Sequence, residues 1–188
     1  MNKHFSNVIG FDDAPFPPNY RGKVTVVGTV FARLRFTGML VNEVDKDGDD
    51  AAEQLVRLVS GSKFFENIHL IMLQGIALGG FNVVDVHYLH TQLDLPVVVV
   101  ARRPPDFDAI RQALLDNVPN GKHKWELIQN LGPMTPIGPI CAQWVGMTRE
   151  EVAATLPRFI VEGHIPEPLR TAHLIAGAIA DGESRGRA

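Results

Sequence analysis

Cysteine is nearly absent from this chain: Cys141 is the single one in 188 residues. That excludes an internal disulfide and any zinc site built from several thiolates, and it fits a reducing compartment. Long hydrophobic runs are missing as well. The longest, Leu95 to Ala101, falls far short of the roughly 18 residues that cross a bilayer, so no membrane partner is expected. There is no excess of positive charge either: 18 Lys and Arg stand against 21 Asp and Glu, for a net charge of −3. A general basic coat for nucleic acid is thereby excluded, while a local basic patch is not. No repeat of 20–50 residues and no low-complexity tract occurs, which removes solenoid architectures. The opening Met1 to Ser6 leads toward acidic residues rather than an apolar h-region, so no signal peptide is expected. What is present, 45% apolar residues with 17 Gly and 13 Pro, is ample for one core. The expectation is a cytoplasmic, single domain over residues 1–188.

Periodicity supplies the element order. Asn7 to Phe11 is a short apolar strand, and the stretch Ala14 to Tyr20, with Pro15, Pro17 and Pro18, cannot continue it because proline gives no N–H to a ladder. Lys23 to Ala32 and Leu34 to Val44 read as strands so closely joined that they must be antiparallel. Asp47-Gly48-Asp49-Asp50 is a turn and N-cap before a helix over 52–60. Ile68 to Leu73 is a strand stopping at Gln74-Gly75, and 83–93 is a helix with Asn82 as its N-cap. Pro96 to Ala101 is apolar throughout, as in a parallel strand covered on both faces. Helices follow over 106–118 and 122–131, then an edge strand over 140–145. Thr148 to Glu151 is a capping box opening a helix to about Phe159, and a final helix begins at Pro166 or Glu167. The order β-β-β-α-β-α-β-α predicts an α/β, ribonuclease H-like mixed five-stranded sheet with helices on both faces; a Rossmann domain would begin βαβ.

Ligands collect at the C-terminal ends of parallel strands in such sheets. Asp12 and Asp13 lie there, and a carboxylate pair suits Mg²⁺ or Mn²⁺; equally, Asp12 suits a cap for the turn that follows. The glycines of Gly75 to Asn82, notably Gly79 and Gly80, allow backbone to approach a phosphate at a helix start. Asp85 is favoured electrostatically in a first helical turn, and it is also a third carboxylate for a cation. Arg102 and Arg103 close the fifth strand at the same sheet edge, and Arg185 stands in the Gly/Ser tail; all three suit phosphate contacts, with solvated surface as the plain reading. His173, among apolar helix residues, reads as a buried, satisfied histidine. Trp125 and Trp144 read as core or interface more than as base-stacking rings. His123 and Lys124 read as surface, and Cys141 as an inert thiol.

Four stretches carry a resemblance: Ile9 to Phe16 (IGFDDAPF), Met72 to Asp85, Pro166 to Ile175, and Gly182 to Ala188. They are similar to the DUF99 (UPF0215) family, also labelled endonuclease dU, over nearly the whole chain. That family is related in fold to endonuclease V, a metal-dependent nuclease that nicks near deaminated bases. The resemblance implies that Asp12 is the metal-binding aspartate of the first strand and that Gln74 stands where the nuclease has a second aspartate. It makes His173 the counterpart of a C-terminal active-site residue and Glu43 a stand-in for a third carboxylate. Glutamine is neutral, so one anionic contact to the metal is missing here. The expected activity is metal-dependent endonucleolytic cleavage of DNA or RNA carrying uracil or another deaminated base. The alternative is a ribonuclease H-like binding module, or an oligomer subunit, that has lost the full metal set. The apolar 137–145 segment is the expected homodimer edge.

Overall fold

The computed structural model describes residues 5–184. Its sheet has seven strands: β1 (Asn7–Asp13), β2 (Lys23–Ala32), β3 (Arg35–Asp45), β4 (Leu70–Gln74), β5 (Val97–Ala101), β6 (Thr135–Ile137) and β7 (Ile140–Val145), in the order β3-β2-β1-β4-β5-β7-β6. The expected five-stranded sheet is therefore extended by β7, the strand expected over 140–145, and by the unexpected β6. β7 is not an edge, since it pairs antiparallel with β5 on one side and with β6 on the other. The three-residue β6 carries Pro136 at its centre and exists only as the arm of a tight hairpin at Gly138-Pro139. It is too short for any alternation to announce it.

The first three strands form the expected antiparallel meander, and β4 and β5 add in parallel beside β1. Helices α1 (Ala51–Ser60) and α2 (Val86–Leu93) cover one face. Their Leu55, Val59, Leu89 and Leu93 pack on Ile9, Phe11, Ile71, Leu73, Val97 and Val99. Helix α5 (Arg149–Thr155), the 3₁₀ turn after it and α6 (Glu167–Asp181) cover the other. There Val152, Phe159 and Leu169 meet Val8, Leu70, Met72, Val98 and Val100. Helices α3 (Phe107–Asn117) and α4 (Gly121–Asn130) pack on each other beside Val83. Both faces of β4 and β5 are thus dry, which is why those strands are uninterrupted apolar runs. No helix among the described residues is long and apolar enough to cross a membrane.

Two local contacts place α6. Gly10 lacks a side chain where the start of α6 crosses β1; a Cβ there would lie 2.7 Å from the Pro168 carbonyl carbon and 2.9 Å from Leu169 N. The Thr29 hydroxyl donates to the Pro168 carbonyl. α6 therefore lies directly on β1 and β2, and its second turn passes over the C-terminal end of β1. The capping box at Thr148 and Glu151 is present as expected.

Candidate active site at the ends of β1 and β4

Asp12 and Asp13 are the last two residues of β1, held in the strand by pairing with Val27 and Val26. Side chains alternate along a strand, so the two carboxylates part. Asp12 turns toward α6, where its Oδ2 lies 2.8 Å from His173 Nδ1, and its Oδ1 accepts the Asp13 N–H at 3.0 Å. Asp13 turns to the opposite face, where its Oδ2 accepts the Gly79 N–H at 2.9 Å. Asp12 thus does not cap the proline-rich turn, and Asp13 anchors a loop instead of joining Asp12 around one ligand. His173 is a third exposed on its side chain; it is a partner of Asp12 and not an isolated core histidine.

Burial governs the charge of this pair. Asp12 is 5% exposed, and removal from water, reinforced by the neighbouring Asp13 charge, pushes its carboxyl up to about 6 against the opposing pull of His173. Burial raises Asp13 as well, with the Gly79 N–H opposing. Perturbed carboxyls at the end of a central strand are a common mark of a working site.

Gln74 completes the group. Phe11 is level with Leu73 in the parallel β1–β4 ladder, so Asp12 and Gln74 occupy the next rung, on the same face. Gln74 Oε1 is buried and has no hydrogen-bond partner among the described residues. A hard cation takes one or two protein oxygens and completes its shell with water and phosphate. Asp12 and the orphaned Gln74 oxygen are the two protein oxygens on this face that could serve one such ion. No cluster of three His, Cys, Asp or Glu among the described residues is placed to hold a metal. Asp85, expected as a further carboxylate for the cation, is the N-cap of α2, accepting the Tyr88 N–H at 2.9 Å. Glu43 is an exposed residue of β3, opposite Thr25 and separated from β1 by β2.

The loop after β4 departs most from expectation. Asn82 is fully buried and does not cap α2. It reaches across to α1 instead: Oδ1 accepts the Ala51 N–H, while Nδ2 donates to the Asp45 carbonyl and to Asp50 Oδ1. Asp50 accordingly does not cap α1 with its own side chain. The Phe81 N–H goes to Asp47 Oδ1, and Gly79 is buried. Gly79 and Asn82 are therefore engaged inside the fold and are not substrate contacts. Gly75 differs, for a Cβ there would meet nothing within 4 Å, and Gly80 is exposed. Lys124, expected at the surface, is 1% exposed; its Nζ donates to the Asp47 carbonyl at 2.7 Å and sits 3.3 Å from Asp49. The lysine and Asn82 clamp the 45–50 turn, a pairing of distant residues that no local spacing reveals.

Arg102 and Arg103 are exposed at the C-terminal end of β5, the sheet edge that Asp12 and Gln74 share. Arg185 lies outside the described residues. Trp125 stacks edge-on with Phe107 and Trp144 packs against the α5 face, so neither is presented as a free ring. Cys141 is buried, in keeping with an inert thiol.

This architecture has known counterparts. A UPF0215 protein of Deinococcus radiodurans is 48% identical over 97% of this chain and 93% of its own length. The crystal structure of a protein of unknown function from Archaeoglobus fulgidus superimposes with a TM-score of 0.86 at 38% identity, covering 92% of this chain and 97% of that one. Endonuclease V of Ciona intestinalis, solved with a 24mer DNA containing an inosine followed by a ribo-adenosine, shares the fold with a TM-score of 0.56 at 14% identity, over 89% of this chain and 82% of that one. The profile of the Endonuclease dU family matches residues 4–180, and the chain belongs to that family.

Proposed function

We propose that the chain is a metal-dependent endonuclease that cleaves a DNA or RNA strand at or near uracil or another deaminated base. The observation that carries this reading is the buried Asp12, paired with the partly exposed His173 beside the unpartnered Gln74 oxygen, at the shared end of the two central parallel strands. The fold shared with an endonuclease V solved on DNA supports a nucleic-acid partner. Asp12 and Gln74 would hold Mg²⁺ or Mn²⁺, which supplies Lewis-acid polarisation of the scissile phosphate. Asp12 fixes the imidazole through Nδ1, so that Nε2 is the nitrogen left to take a proton from water. Asp13 shapes the site indirectly, by tying Gly79 and with it the 75–82 loop. Arg102 and Arg103 grip phosphates along the same edge, and the open side of Gly75 leaves room for the strand.

One feature favours a second reading, a nucleic-acid-binding module without cleavage: Gln74 is neutral where the fold's nucleases are expected to carry an aspartate. Labelled oligonucleotides with uracil, hypoxanthine or no lesion, incubated with Mg²⁺, Mn²⁺ or EDTA, separate the two. Cleavage that needs metal and disappears in Asp12→Ala supports the nuclease. Binding of the strand without cleavage under any metal overturns it. Gln74→Asp adds a discriminator, because a gain of nicking marks a nuclease scaffold working with a weakened cation site, and no change favours the module.

A further inference from the structure

β3 is the free edge of the sheet. It is 11 residues long, contains no proline, and has no strand on its outer side among the described residues. The opposite edge is protected in the usual way, by a three-residue strand with a proline in it. β3 has the opposite character. Phe36, Met39 and Val41 are 46–47% exposed, next to Leu34 at 49% in the hairpin turn. α6 covers this face of the sheet only as far as β2. Thr29, opposite Met39, is buried under Pro168, and Val27, opposite Val41, packs on Ile175 and Ala176. One strand further on the cover stops. A long apolar edge is an open template for another strand, and proteins that retain one cover it.

We propose that β3 is the contact of a two-fold homodimer, pairing antiparallel with β3 of a second copy. The charge pattern selects both the partner and the direction. Arg33 and Arg35 stand at the start of the strand, Glu43 and Asp45 at its end. Antiparallel pairing about Leu40 lays the basic end of each copy against the acidic end of the other, twice per dimer. Parallel pairing would set like charges side by side. Met39 of one copy then stands opposite Val41 of the other, and the ladder stops short of Asp45, whose N–H and carbonyl are held by Asp50 and Asn82, leaving its carboxylate to meet Arg35 through side chains alone. An isologous contact is closed, so both edges are consumed and assembly stops at two. β3 runs in the same direction as β1, since each is antiparallel to β2. The two Asp12 sites therefore open toward opposite ends of the dimer, each complete within one chain, and the dimer stands whether or not the chain cuts nucleic acid.

Sedimentation velocity on the full chain over a wide concentration range tests this. The expected species has twice the 20.7 kDa chain mass. Val41→Lys, at a side chain already half exposed, is expected to give a folded monomer that melts as the wild type does when diluted below its dimer dissociation constant. Leu115→Lys on α3, equally exposed, is expected to leave the dimer intact. Arg35→Glu should raise the dimer dissociation constant roughly tenfold, and adding Asp45→Arg should restore it. A monomeric wild type overturns the proposal, as does a dimer indifferent to Val41→Lys. An open-ended series of oligomers would overturn the closed two-fold contact.

Discussion

His173 Nδ1 lies 2.8 Å from Asp12 Oδ2, linking the last helix to the first strand. The helix reaches that point because Gly10 and Thr29 admit its first turn onto the sheet, so the packing that builds the core also assembles the site. The arrangement is costly, since Asp12 is buried and the partner that compensates it is only partly withdrawn from water. A carboxylate kept in that condition makes chemical sense as a functional group and little sense as a stabilising one.

Stability should therefore fall as pH rises through the acid range. In the folded chain Asp12 keeps its proton up to about pH 6; unfolded, only up to its ordinary 3.8. Between those values the folded state binds more protons, so unfolding free energy declines with pH. The penalty is absent below the lower value and complete above the upper. Asp12→Asn removes the buried charge and keeps the shape. At pH 7 in EDTA it is expected to raise stability by about 3 kcal/mol, with the difference from wild type vanishing near pH 4. Thermal melts across pH 4–7 measure this. A variant less stable than wild type at pH 7 would show that the ionised Asp12 is a net support of the fold.

Gly10→Ala should act on the site through the helix. Its Cβ would fall against the backbone at Pro168 and Leu169, which cannot yield as a flexible side chain does. A loss of roughly 1–3 kcal/mol is expected from overpacking, together with displacement of His173 from Asp12 and loss of nicking. Gly75→Ala is the matched control. It has free space but a positive φ of 81°, so it should cost about 1 kcal/mol and leave α6 in place. Urea denaturation of the two variants, read beside His173 ring chemical shifts, distinguishes packing at Gly10 from backbone strain at Gly75.

Asn82→Ala should loosen the loop beside the site. The Ala51 N–H loses its cap, and the Asp45 carbonyl and Asp50 carboxylate lose a donor in a buried setting. Loss of the cap and the stranded polar groups together predict a destabilisation of roughly 2–4 kcal/mol. Hydrogen exchange should quicken first at Gly79 and Phe81, whose amides are held by Asp13 and Asp47. If exchange there is unchanged while α1 alone frays, Asn82 serves only the helix.

The strands were legible where one force dominates. Lys23–Ala32 and Ile140–Val145 have the extents that their β-branched and apolar residues announce, and the covered β5 follows from its unbroken apolar run. What escaped depends on partners distant in sequence. β6 needs β7 to exist. Asn82 stands just where a helix cap is expected, yet its amide is claimed by a different helix 31 residues away. Lys124 reads as solvated on its own helix and is buried only because the 45–50 turn closes over it. At the site, position alone pointed to Asp12, Gln74 and the sheet edge. The separation of Asp12 from Asp13 follows from strand alternation once β1 is known to run through both residues, instead of ending before them.

Arg102 and Arg103 give the least local of these expectations. Both are exposed at the end of β5, beside the strand that ends in Gln74. Contacts to phosphate carry no sequence information but dominate affinity. Arg102→Ala with Arg103→Ala should therefore weaken binding of lesion-bearing and plain strands alike. It should also reduce the slope of log affinity against log salt by roughly 1 for each phosphate that is no longer neutralised. Fluorescence anisotropy with metal replaced by Ca²⁺, at several salt concentrations, measures both effects without turnover. An unchanged slope would place the nucleic acid on another face. Weakening confined to the lesion-bearing strand would instead make these arginines readers of the base.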